Sequence, residues 1–172
     1  MGITRLNHAV LYVSDLDRSV AFYTDVLGFR GVPMEPPGMR AAFLRAPDST
    51  NDHDLGLFEI GAVAGAGSAP GRGVGLYHLA WEVDTLSTLE ATATKLADAG
   101  ALVGATDHGT TQSLYGKDPD GIEFEVVWLV PAGLLDDAAL SARRRLAPLD
   151  LAAAKRRYGP HTRGGTGVSV PA

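Results

Sequence analysis

The chain has 172 residues, 45% of them hydrophobic, enough to bury the core of one ordinary domain or of two small modules packed together. A formal net charge of −5 excludes a general nucleic-acid binder, which would show a basic surface. The absence of cysteine excludes disulfides, thiolate metal sites and a cysteine nucleophile, so any metal must be held by His, Asp or Glu, with five histidines available. The first residues, Met1-Gly-Ile-Thr-Arg, do not read as a signal peptide, and no apolar run is long enough to span a membrane. With the lack of cysteine, this sets the expectation of a cytoplasmic protein.

Residues 3–13 alternate as a strand, with His8 at its centre. Ser14 or Asp15 caps a helix whose apolar positions Val20, Phe22, Tyr23 and Leu27 have helical spacing, and Gly28 ends it. Short strands follow at 29–34, 39–46 and 53–60, separated by Glu35-Pro-Pro-Gly38 and by a polar loop ending at Asp52. Residues 61–75 form a linker dense in glycine, alanine and proline, either a flexible connection or a lid. The pattern then restarts. A strand at 76–83 carries His78, a helix at 85–99 is capped by Asp84 or Thr85 and closed by Gly100, and strands follow at 101–105, 112–116 and 122–130.

The order is β-α-β-β-β twice, and the residues repeat with it. His8-Ala-Val-Leu-Tyr-Val-Ser-Asp-Leu parallels His78-Leu-Ala-Trp-Glu-Val-Asp-Thr-Leu. The last two strands form a hairpin about the turn Asp118-Pro119-Asp120-Gly121. On its second strand Ile122, Phe124 and Val126 share one face, and Glu123, Glu125 and Val127 the other. A glutamate inside so apolar a strand has a wet face, a paired carboxylate or a metal. A lone strand histidine is more often a core or cleft residue than a ligand. His8 and His78, equivalent in the repeat and joined by Glu125, instead compose the two-histidine, one-carboxylate set of non-haem ferrous oxygenases.

These residues resemble the vicinal oxygen chelate superfamily, which includes glyoxalase I, bleomycin-resistance proteins and extradiol dioxygenases. The resemblance covers 3–130: His8, the segment Phe22-Tyr-Thr-Asp-Val-Leu-Gly-Phe29, His78 and Asp118-Pro-Asp-Gly with Glu125. It implies an α+β fold of two tandem βαβββ modules, 3–60 and 76–130, curled into a cupped half-barrel around a metal. His53, His108 and Tyr115 sharpen it, since all three occur in this order in type I extradiol, catechol 2,3-dioxygenase-like enzymes. By that resemblance His8, His78 and Glu125 hold Fe(II), with Mn(II) the other candidate. His53 is the acid/base, and His108 and Tyr115 stand at the substrate hydroxyl. The implied function is ring cleavage of a catechol-type aromatic diol with O2. The alternative is a lyase or isomerase of the glyoxalase or epimerase kind using Ni, Co or Zn, with Glu59, aligned with Glu125, as fourth ligand. A third reading is a non-catalytic binding protein of the bleomycin-resistance type.

Asp118, Asp120 and Gly121 read as turn makers without chemistry. Beyond Pro131, residues 134–158 read as one helix that Pro148 kinks, packed outside the modules or on a partner subunit, within a helical extension and flexible tail spanning 131–172. Its basic clusters at 143–145 and 155–157 read as a solvated face. Exposed strand edges and the added helix suggest a homo-oligomer.

Overall fold

A computed structural model describes residues 2–3, 5–34, 36–61 and 74–165. The linker therefore lies almost wholly outside the described residues, as does 166–172. The described chain forms two compact units: residues up to 69 together with the turn Asp118–Gly121, and the remainder from 70 onward.

In the first unit, β1 (Ala9–Val13) leads into α1 (Leu16–Ala21), which continues as a π-helical turn, Phe22–Val26. Asp15 is the cap, its side chain accepting from Arg18 N. Then come β2 (Arg30–Val32), β3 (Ala41–Arg45) and β4 (Leu55–Glu59). The sheet order is β1-β4-β3-β2. β1 runs parallel to β4, with Ala9 opposite Leu55, Val10 opposite Gly56 and Val13 opposite Glu59. Alternation puts Leu11 and Val13 into the core with Leu44, Leu55 and Leu57, while Val10 and Tyr12 stay exposed on the other face. α1 packs on β3 and β4.

The turn Asp118–Gly121 is fastened into this unit. Tyr23 Oη donates to Asp118 Oδ2 at 3.1 Å, Ser14 N and Oγ both donate to the Asp120 carboxylate, and Arg18 pairs with Asp120 at 2.9 Å. The turn residues thus have no chemistry assigned, but they are anchors as well as turn makers.

The second unit repeats the plan: β5 (Leu79–Glu82), α2 (Leu86–Asp98), β6 (Leu102–Asp107), β7 (Thr111–Lys117) and β8 (Glu123–Leu129). Thr85 caps α2 by accepting from Thr88 N, and Gly100 ends it at φ +64°, a backbone region open chiefly to glycine. β5 runs parallel to β8, with Leu79 opposite Phe124 and Ala80 opposite Glu125. α2 lies against β6, β7 and β8 and buries Leu86, Leu89 and Leu96 completely. With the helix on one face of the sheet, the opposite face is left for polar side chains.

The expected single helix at 134–158 is not formed. Instead the chain makes a 3-10 turn (Ala132–Leu134), α3 (Asp137–Ala142), β9 (Ala147–Pro148) and α4 (Leu151–Tyr158). Asp136 and Asp150 each cap a new helix start, and Pro148, lacking an N–H, sits in a two-residue edge strand. β9 joins β6, so the second sheet reads β5-β8-β7-β6-β9. Nor is the segment after Gly159 loose as far as 165: Gly164 N donates to Asp84 O at 2.7 Å and Gly165 N to Leu129 O at 3.0 Å. The basic residues lie on an exposed face as expected, where Lys155 also pairs with Glu90 and Arg157 with Asp136. Among the described residues, no helix is long and apolar enough to cross a membrane.

Candidate active site

The expected site residues fall into two groups, one in each unit. In the first, His8 immediately precedes β1 and His53 immediately precedes β4, and the parallel pairing brings them side by side. Their rings lie 4.6 Å apart between centroids, and the Phe43 ring meets His53 at 5.0 Å. Each imidazole is held through Nδ1: His8 by Asn7 Oδ1 at 2.8 Å, His53 by Asp52 Oδ2 at 3.0 Å. If Nδ1 carries the proton in both, Nε2 is the free acceptor or ligand atom. Asn7 is in turn linked to Asn51, which Asp54 accepts from at 2.6 Å. Asn7 and Asp52 were not foreseen; the signal was there in the dipeptides Asn7-His8 and Asp52-His53.

Glu59 does not belong to this group, which corrects its alignment with Glu125. His8 is equivalent to His78, so Ala9 corresponds to Leu79, Leu55 to Phe124, and Gly56 to Glu125. Three residues from Gly56, Glu59 points to the opposite face of the strand. There its carboxylate accepts from Leu16 N at 2.9 Å and pairs with Arg40 Nε at 2.9 Å. It is a structural acid that ties the start of α1 to the sheet.

In the second unit four predicted residues converge. Glu125 faces Tyr115 across the β7–β8 ladder, and His78 precedes β5 on the same side. His78 Nε2 is 3.4 Å from Glu125 Oε2, Tyr115 Oη donates to Glu125 Oε1 at 3.4 Å, and His108 Nε2 is 2.9 Å from Tyr115 Oη. A phenol has one proton, so both Tyr115 contacts are satisfied when His108 donates to Tyr115 and Tyr115 donates onward to Glu125. Burial first, then the Glu125 charge and the hydrogen bond to it, push the Tyr115 hydroxyl up to about 12, which keeps it a neutral donor.

Among the described residues, the buried His78 Nδ1 has no hydrogen-bond partner. Its other ring nitrogen, Nε2, is the one that faces Glu125. The donors also suit a cation. Two ligand atoms at about 2.1 Å from one ion and 90–110° apart lie roughly 3.0–3.4 Å from each other, which matches the His78–Glu125 separation. Among the described residues no group of three or more His, Asp or Glu side chains is arranged to hold a metal ion.

Tandem βαβββ units, each with a histidine leading its first strand, define a paired-module class of fold. The chain belongs to the Glyoxalase/Bleomycin resistance protein/Dioxygenase superfamily, whose model matches residues 5–126. It is 30% identical over 124 residues to catechol-2,3-dioxygenase of Bacillus subtilis, spanning 72% of this chain and 41% of that protein. It is 36% identical to biphenyl-2,3-diol 1,2-dioxygenase 3 of Rhodococcus globerulus over 71% of this chain and 62% of that one. The match to lactoylglutathione lyase of Haemophilus influenzae is 32%, over 70% and 89% of the two chains. The chain thus spans less than two thirds of these dioxygenases and most of the lyase. Among solved structures, a glyoxylase/bleomycin resistance protein/dioxygenase domain from Frankia sp. EAN1pec superposes with a TM-score of 0.61 at 24% identity, covering 73% of this chain and 92% of that one, a likeness of fold.

Proposed function

We propose that this protein is an extradiol ring-cleaving dioxygenase for a catechol-type aromatic diol. The observation that carries the reading is the hydrogen-bonded series His108–Tyr115–Glu125 with His78 against the same carboxylate. His78 and Glu125 would be two ligands of the metal, with His8, their partner by sequence repeat and family resemblance, as the third. Fe(II) is the metal this reading requires, with Mn(II) the other candidate. When bound, the ferrous ion would acidify the diol and couple it electronically to O2.

The remaining residues bind, orient and move protons. When a diol binds, the single Tyr115 proton would turn from Glu125 to a diol oxygen, while the imidazole of His108 fixes the phenol's direction. His53 has a carboxylate on Nδ1, which fixes that nitrogen as the donor and leaves Nε2 to take a proton and return it. Phe43 packs against the His53 ring and limits its rotation.

The alternative lyase reading calls for a second carboxylate from the first unit. The position equivalent to Glu125 is Gly56, and Glu59 is committed to Arg40 and Leu16, which weighs against it.

Anaerobic loading with Fe(II), addition of catechol and then air tests the proposal: a yellow product with oxygen uptake is expected. Its absence across a panel of catechols and biphenyl diols, with turnover of hemithioacetals under Ni(II) or Zn(II), would establish the lyase instead. His53→Phe should retain iron and diol binding while kcat falls on the order of a hundredfold or more. Glu125→Ala should lose the iron itself, read by metal analysis after desalting.

A further inference from the structure

The family match stops at residue 126, yet the chain beyond it is built onto the turn that bears His108. We propose that this C-terminal extension is a positioning element for His108: α3 and β9 close over the His108–Gly109 turn and hold the imidazole on the Tyr115 hydroxyl.

The turn between β6 and β7 is short and internally bonded. His108 N donates to Thr111 O at 2.9 Å, while Gly109 N and Gln112 Nε2 both donate to Asp107 Oδ1, at 2.7 and 2.8 Å. The extension then braces it on several sides. β9 pairs with the end of β6, Ala147 opposite Asp107 and Pro148 opposite Thr106, and Leu149 N donates to Ala105 O at 3.3 Å. Val130 N donates to Thr110 O at 3.0 Å. α3 lies directly on Gly109: a Cβ there would be 2.8 Å from Ala142 Cβ, 2.9 Å from Arg143 N, and closer still to the Ala139 carbonyl oxygen. Gly109 has φ +79°, so both its backbone and its lack of a side chain are used.

The brace is itself anchored. Arg157 of α4 donates to both oxygens of Asp136, the residue that caps α3. α4 is seated by the Tyr158 ring against Trp128 and by Trp128 Nε1 donating to Thr162 O at 3.2 Å. A run of contacts thus leads from the sheet, through α4 and α3, to the backbone that aims His108. The inference rests on the proposed function only in giving His108 a substrate-side role; its geometry needs neither metal nor substrate.

The test uses the full-length, metal-free protein with long-range proton–nitrogen spectra of the histidine rings. Gly109→Ala, Gly109→Asn and Leu149→Pro are compared with the parent. His108 should shift and lose the signature of its bond to Tyr115 in all three, with His8 and His53 unchanged. Asparagine tolerates positive φ, so an effect equal to that of alanine assigns the damage to the contact with α3. Leu149→Pro keeps the turn sequence and decides the matter if the Gly109 variants do not fold. On iron loading, catechol turnover in the variants should fall roughly ten- to a hundredfold at unchanged iron content. An unchanged His108 spectrum, recovery in the asparagine variant, or equal movement of every histidine would overturn the proposal. A parent protein inactive on diols, with the His108 response intact, would instead refute the ring-cleavage reading alone.

Discussion

At the scale of single residues, the six proposed site positions were legible because each combines an ionisable or phenolic side chain with an otherwise apolar or tightly turned stretch. The geometry gathers them as one histidine pair and one four-residue group. What could not be read was which acids are structural. Glu59 looked equivalent to Glu125 because only strand sequence, not register, was available. A shift of three residues along a strand also reverses the face, and Arg40 supplies the charge that Glu59 needs. Tyr23 is the buried counterpart in the first unit. Burial, then the neighbouring Asp118 charge, raises its hydroxyl well above the usual tyrosine range. A raised acid favours the protonated fold, so its contribution is complete below about pH 10 and is lost as pH climbs through the folded value. Tyr23→Phe should therefore flatten the alkaline limb of the stability profile. At neutral pH it removes a hydrogen bond to a buried carboxylate, costing about 1–3 kcal/mol in urea unfolding.

At the scale of elements, the hairpin β7–β8 was the clearest reading, since its turn chemistry and alternation agree. Its ladder runs from Thr111 opposite Leu129 to Lys117 opposite Glu123, which is why Tyr115 meets Glu125. One position in it carries a constraint the sequence did not reveal. Gly116 lies opposite Phe124, and a Cβ there would stand 2.5 Å from the ring. Gly116→Ala should cost about 1–3 kcal/mol by overpacking, measured as a lower denaturant midpoint at unchanged slope. Because Tyr115 is the preceding residue, the same variant should also weaken diol binding. The C-terminal elements were the least legible. Residues 134–158 read locally as one kinked helix, but the caps at Asp136 and Asp150 and the missing N–H of Pro148 favour two short helices around an edge strand. Tertiary pairing with β6, invisible in a local pattern, selected that outcome.

For the whole molecule, the internal repeat made the fold legible, since two copies of βαβββ leave few arrangements for the strands. The paired parallel registers of β1 with β4 and β5 with β8 bear it out. The extension had no such copy to be compared with, and its role emerged only from contacts. It also covers Trp128, whose side chain is fully buried beneath Gly164 and Thr162. The other tryptophan, Trp81, lies on β5, so both indoles of the chain belong to the second unit. The tryptophan fluorescence of this protein, excited selectively over tyrosine, is therefore a reporter with one address. Its emission will follow the unit that holds His78, Glu125, Tyr115 and His108 and stay dark to events confined to the other. Removal of residues 159–172 should shift the emission to the red as Trp128 meets water, whereas a variant confined to the first unit, such as Tyr23→Phe, should leave the native spectrum in place.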